Sequence, residues 1–120
     1  MTTLANLVIA RIGSQRLVEL TNDTSAATTI DNDVLSGACD DAEGKFMIET
    51  GSTPDTANKV HVAVLVEGVI YFLENYKARD GGILTQHGKN FFAGCKSMRE
   101  KQAPLALGNS VLLPSTTRAN

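Results

Sequence analysis

The sequence predicts an all-α fold, a small antiparallel bundle of about four helices around a long central helix, with an extended C-terminal arm. Three observations predict the bundle. Apolar residues recur at spacings of three and four in successive segments, which is the period of an amphipathic helix. Ser, Thr, Asn, Asp and Gly stand at the ends of these segments, as helix caps do. The 120 residues, 42% of them hydrophobic, suit one domain with one core.

The N-terminal part predicts two short helices joined at a glycine. Residues 2–12 carry apolar side chains at helical spacing, a threonine at position 2 or 3 can cap this helix, and Gly13 can end it. Ser14 offers the cap of a second short helix over 15–20. The polar stretch 21–29 then predicts a loop, because its Thr, Asn, Asp and Ser side chains compete for backbone hydrogen bonds.

The third predicted helix starts with a cap from Asp31 or Asn32 and ends near Gly51. Apolar residues within it recur at three and four, so we expect one face to be buried. Gly37 and Gly44 lie inside this helix, where each costs ~1 kcal/mol relative to Ala. Close packing against another helix would explain both glycines.

The central helix is predicted over 55–79. Thr53 can cap it, and Pro54 suits the first helical position, where its missing N–H costs nothing. Valines alternate over 60–66, which is a strand pattern, but apolar residues at helical spacing continue to Tyr76. A run of this length favours a helix, and its middle is apolar on all sides, which is typical of the core of a domain.

The last predicted helix runs from about residue 87 or 89 to 102 and stops before Ala103-Pro104. The segment 105–113 is apolar but has no helical period, which predicts an extended arm that pairs with another chain. The alternative is a strap folded back over its own bundle. We therefore divide the chain into a helical bundle domain, 1–103, and an arm and tail, 104–120.

No set of residues in the sequence forms a recognisable catalytic, cofactor-binding or metal-binding motif, so we expect no enzyme, no cofactor and no metal. His61 lies in an apolar run and His87 beside a glycine, and neither has a partner motif. Asp40, Asp41 and Glu43 point in different directions around a helix, which favours a solvated face over a metal site.

The two cysteines, Cys39 and Cys95, lie far apart and form no CxxC pair, so we interpret both as small buried residues. The start of the chain lacks the pattern of a signal peptide. The longest apolar stretch, 60–73, is interrupted and is shorter than the ~20 residues of a membrane span. These features predict a protein that is not in a membrane.

The net charge of -2 argues against a protein that holds nucleic acid through a basic surface. The basic residues Lys96, Arg99 and Lys101, with Arg118 in the tail, are interpreted as a charged outer face. The two helices joined at Gly13 leave one alternative function open, a small helix-turn-helix-like DNA-binding regulator.

The order of these segments resembles the small helical head–tail connector (adaptor) proteins of tailed bacteriophages. The resemblance covers residues 2–103 in element order. It is carried by Leu4–Leu20 (LANLVIARIGSQRLVEL) with the Thr/Asp loop after it, by Asp31–Gly51 (DNDVLSGACDDAEGKFMIETG) and by Val60–Arg79 (VHVAVLVEGVIYFLENYKAR). The last helix and the apolar C-terminus complete the order.

The resemblance implies a structural protein of the virion, made in the host cytoplasm, without enzymatic activity. Such subunits form a ring of about a dozen copies that docks on the portal protein and on neck or tail completion proteins. Genomic DNA passes through the ring without specific binding, and a near-neutral subunit suits such a channel.

The resemblance also assigns contact sites. The portal-binding arm would comprise Leu105, Leu107, Val111, Leu112 and Leu113. Two loops would make further contacts, because loops on a rigid scaffold often carry binding; they contain Asn22, Asp23, Thr24, Asp80, Gly81 and Gly82.

Overall fold

The structure, a computed structural model, describes residues 3–22, 26–77 and 84–107. These residues form five helices and no strand, which confirms the all-α prediction. The helices are α1 (Leu4–Ile12), α2 (Ser14–Thr21), α3 (Asn32–Thr50), α4 (Lys59–Lys77) and α5 (Gln86–Leu107).

Two of the predicted helix starts are confirmed by their hydrogen bonds. Thr3 Oγ1 accepts the amide hydrogen of Asn6 at the start of α1. Asp31 Oδ1 accepts the amide hydrogens of Asp33 and Val34 at the start of α3. Both side chains satisfy backbone donors that a first helical turn leaves unpaired.

Glycines end α1 and α3 as predicted. Gly13 has φ +95° and Gly51 has φ +73°, backbone conformations that residues with a Cβ rarely adopt. The amide of Gly13 donates to Ile9 O, and that of Gly51 to Met47 O, so each glycine closes the last turn of its helix.

The predicted start of α4 was wrong by four residues. The helix begins at Lys59, because Asn58 Oδ1 accepts the amide hydrogens of Val60 and His61 and so acts as the cap. The Thr-Pro-Asp sequence lies instead in the connection 51–58, which crosses from α3 to α4. The alternative of a strand over 60–66 is overturned, since every residue of that segment is helical.

Helix α5 is longer than predicted. It continues through Ala103-Pro104 to Leu107, so its predicted end at 102 was wrong by five residues. The division of the chain into a bundle domain and an arm at 103/104 stays a prediction. A proline removes one hydrogen bond from a helix without necessarily ending it, and the Leu, Ala and Leu that follow are strong helix formers. The rest of the predicted arm and tail, 108–120, lies outside the described residues.

Helix α4 is central and packs against each of the other four helices. It runs antiparallel to α5, because Val64 lies opposite Gly94 and Tyr71 lies opposite Gly88. It also runs antiparallel to α3, because His61 lies beside Phe46 and Tyr76 lies beside Gly37. The core that these helices enclose is mainly aliphatic and includes Val8, Leu17, Leu35, Ala42, Phe46, Leu65, Val69, Leu73, Phe91 and Cys95.

The close helix packing occurs at glycines other than those expected. A Cβ at Gly44 would meet nothing within 4 Å, and one at Gly37 would meet only the Tyr76 hydroxyl oxygen at 3.9 Å. A Cβ at Gly68 would lie 2.7 Å from the Phe91 ring, and the glycines of α5 are similarly crowded. The interface between α4 and α5 is therefore where the backbone approaches large side chains.

Candidate functional site

The predicted contact sites are only partly described. Asn22 Nδ2 donates to Val18 O at 2.9 Å and to Thr29 O at 2.8 Å, so this side chain joins the two ends of the connection between α2 and α3. Leu105 and Leu107 lie in the last turns of α5. The remaining predicted contact residues lie outside the described residues: Asp23, Thr24, Asp80, Gly81, Gly82, Val111, Leu112 and Leu113.

The buried Thr21 also holds together the two ends of the connection between α2 and α3. Thr21 Oγ1 donates to Leu17 O at 2.7 Å and accepts from the amide of Asp31 at 3.0 Å. The end of α2 and the start of α3 are thus tied together although the chain between them is long. Sequence reasoning missed this residue, because a polar side chain at a helix end is usually exposed.

The two histidines have structural contacts. His61 Nδ1 accepts the amide hydrogen of Asp55 at 3.0 Å, and its ring packs on Phe46. His87 Nδ1 is 2.6 Å from Glu67 Oε2, and Glu67 Oε1 accepts from the amide group of Asn90 at 2.8 Å. The first histidine holds the connection 51–58 against α4, and the second joins α5 to α4.

The predicted burial of Cys39 and Cys95 is confirmed, and both are free thiols. Burial, with a smaller contribution from Glu43, raises the pKa of Cys39 to about 12. Burial likewise raises the pKa of Cys95 to about 11. Both thiols therefore stay protonated at neutral pH and are poor nucleophiles and poor metal ligands. Within the described residues, no three His, Cys, Asp or Glu side chains converge to hold a metal ion.

A groove of about 780 Å³ opens beside α3 and carries negative charge. Its walls are the start of α1, one side of α3 and the connection 51–58, and its carboxylates are Asp40, Glu43 and Asp55. We call it the acidic groove. Burial and the neighbouring charge of Asp40 raise the pKa of Glu43 above its ordinary value. The full lining is Thr3, Leu4, Ala5, Ser36, Cys39, Asp40, Glu43, Thr53, Pro54, Asp55, Thr56 and Ala57.

Positive charge gathers where α3 meets α5. Lys45 Nζ lies 5.8 Å from the centroid of the Phe92 ring. Lys89 and Lys96 are three and four residues from Phe92 in α5, so they neighbour it on that helix. Arg99, nearly one turn beyond Lys96, contacts Glu49 of α3. We call these four cations, with Phe92, the basic seam.

Carboxylates border the basic seam without balancing it. Glu49 Oε2 lies 3.6 Å from Lys45 Nζ, and Glu49 Oε1 lies 3.9 Å from Arg99 Nη1. Arg99 Nη1 also donates to the backbone carbonyl of Glu49 at 3.3 Å. Glu100 is exposed one turn beyond Lys96. The exposed ammonium groups of Lys89 and Lys96 have no carboxylate within 4.0 Å among the residues that the structure describes.

Helix α3 separates the two charged surfaces. Glu43 and Lys45 are two residues apart in this helix, which places their side chains about 160° apart around its axis. The sequence showed the acidic residues of α3 and the basic residues of α5 separately. It gave no sign that Asp55 and Glu43 line one groove, or that Lys45 lies against Phe92, because both arrangements depend on how distant segments pack.

The N-terminal helix pair is built into the core. Gly13 alone separates α1 from α2, whereas a helix-turn-helix motif uses a turn of three or four residues. Leu17, Leu20 and Thr21 of α2 are buried, so this helix of eight residues is held in the core by one face and exposes only two turns of the other. This geometry does not favour α2 as a reader of a DNA groove.

Comparisons with known proteins add no relative: no family model, curated protein or solved structure matches the chain. In the described part of the chain, no helix is both long enough and apolar enough to cross a membrane.

Proposed function

We propose that the chain is a structural subunit of the head–tail connector of a tailed bacteriophage. It acts by assembly: copies form a ring that docks on the portal protein, bridges it to neck or tail completion proteins, and surrounds the DNA channel at the head–tail junction of the virion. The observation that carries this proposal is the helical element order, together with a last helix that extends beyond the bundle toward an apolar C-terminal arm.

The register of α4 and α5 supports this reading. The opposed pairs Val64–Gly94 and Tyr71–Gly88 place Lys59, the first residue of α4, level with about residue 99 or 100 of α5. Helix α3 also ends at this level, since Arg99 contacts Glu49. The last seven residues of α5 therefore extend ~10 Å beyond both neighbouring helices. Leu105 and Leu107 of the predicted arm, 105–113, belong to this projecting part of α5.

Exposed apolar side chains lie at the same end of the bundle. Ile48, close to the end of α3, is 75% exposed, and Val60, in the first turn of α4, is 59% exposed. Large apolar side chains left in water at a helix projection are typical of a surface that another protein covers. These residues extend the proposed portal contact from the arm onto the bundle.

The proposal is tested by portal binding with full-length variants. We expect Leu112→Asp with Leu113→Asp to abolish capture by the purified portal protein of the same phage, because charges enter an apolar contact. The matched control, Ser115→Asp with Thr116→Asp, adds the same charge to the tail and should bind as wild type. Wild-type protein that does not bind the portal would contradict the proposed function, and unimpaired binding by the leucine variant would contradict the role of the arm.

A further inference from the structure

We propose that the acidic groove of one copy of this chain receives the basic seam of a second copy. The proposal deepens the proposed function, on which it rests for the ring, by naming the two surfaces that meet between neighbouring subunits. The partner is another copy of the same chain, and the recognition chemistry is the pairing of carboxylates with ammonium and guanidinium groups around one aromatic ring.

Charge complementarity is the first argument for this pairing of surfaces. Asp40, Glu43 and Asp55 have no cationic side chain within 4.0 Å among the described residues. The ammonium groups of Lys89 and Lys96 are likewise unpaired there. Each surface thus holds charge of one sign that its own chain leaves uncompensated, and bringing the two together favours association and selects its orientation.

Shape and apolar contact are the second argument for this pairing. The groove is lined by carbon-rich residues as well as carboxylates, among them Leu4, Ala5, Pro54 and Ala57. The seam presents the half-buried ring of Phe92 between its cations. An aromatic side chain that enters an apolar depression, with charged groups around it, is the usual arrangement of an interface hot spot.

The position of the two surfaces determines the kind of assembly. Because they lie on nearly opposite sides of α3, a contact between the groove of one copy and the seam of the next leaves a free seam and a free groove at the two ends of the pair. Such head-to-tail contacts repeat, and they produce a closed ring or an open filament rather than a two-fold dimer.

The experiment reverses the charge of each surface in the full chain. The groove variant is Asp40→Lys with Glu43→Lys, and the seam variant is Lys89→Glu with Lys96→Glu. All four side chains are exposed or half-buried, so we expect both variants to fold. Self-association is measured by sedimentation velocity at low salt, where screening is weakest, up to about 1 mM protein, the limit of weak specific contacts.

We expect each variant alone to weaken self-association at least ~10-fold relative to wild type, because like charges then face each other. Mixing the two variants should restore assembly, since each reversed surface then meets its complement. The control variant, Arg11→Glu with Arg16→Glu, changes two exposed cations outside both surfaces and should associate as wild type.

Three results would overturn the proposal: a wild-type chain that stays monomeric up to about 1 mM, variants that associate like wild type, or a mixture that fails to assemble. Rings on the portal that persist in both variants would leave the connector function intact while rejecting this pairing of surfaces. Failure of wild-type protein to bind the portal, with the charge-reversal pattern observed, would reject the connector function and leave the pairing intact.

Discussion

The α4–α5 interface and the outer face of α3 both contain helical glycines, but only those at the interface lie against large side chains of another helix. At the interface, Gly68 leaves room for the buried Phe91 ring, and Gly94 leaves room for Val64. On α3, Gly44 faces open space. A glycine inside a helix therefore indicates close packing only when a large side chain of another helix fills the space that its missing Cβ would occupy.

Gly68→Ala is expected to have the largest effect. The added methyl group would overlap the Phe91 ring, which is fully buried among Phe72 and Phe92 and cannot move aside. Overpacking of a core costs about 1–3 kcal/mol, and we expect a loss of about 2 kcal/mol in the free energy of unfolding. Urea denaturation of the purified variant measures it; stability equal to wild type would show that α4 and α5 are not held this closely.

Gly88→Ala tests the same interface at its edge. The new methyl group would meet the Tyr71 ring at 2.6 Å, but this ring is only half-buried and can turn toward solvent. Alanine also favours the helix by up to about 1 kcal/mol over glycine, so we expect a net loss below about 1 kcal/mol. A loss as large as that of Gly68→Ala, in the same denaturation experiment, would contradict this distinction.

Gly44→Ala should raise the free energy of unfolding, whereas the two changes above lower it. Nothing lies within 4 Å of the added methyl group, and the helix gains about 0.5–1 kcal/mol because alanine loses less backbone entropy on folding. Thermal unfolding followed by circular dichroism should show a higher Tm than wild type. A lower Tm would mean that another part of the chain occupies this face.

The smallest effect on stability is expected for a change in the acidic groove, Glu43→Gln. Burial and Asp40 raise the pKa of Glu43, so its ionised form is less favourable in the folded than in the unfolded chain. The stability linked to its protonation is present below the ordinary pKa of 4.5 and is lost as the pH rises through the raised value. Glu43→Gln should therefore be more stable than wild type at pH 7 and equal to it near pH 3, where the side chain is protonated. A gain that does not change between these pH values would contradict this cause.

Sequence patterns predicted helix boundaries correctly where the deciding residues lie close to the boundary. The caps at Thr3 and Asp31 and the end of α3 at Gly51 follow from residues within one turn of each helix boundary. The start of α4 was misplaced because the Thr-Pro-Asp sequence and Asn58 both suit a cap, and only the path of the chain from α3 decides between them.

The candidate site depends on distant segments and could not be predicted in the same way. The acidic groove needs the start of α1 and the connection 51–58 to meet on one side of α3. The basic seam needs Lys45 to lie against Phe92. Their charged residues are visible in the sequence, but a solvated helix face and half of an interface have the same local pattern.

Electron microscopy of the purified portal protein mixed with the full-length chain tests the proposed assembly on a portal. We expect an added ring of density on the portal with wild-type protein, and none with Leu112→Asp and Leu113→Asp. A portal that carries no added density with wild-type protein in excess would contradict it.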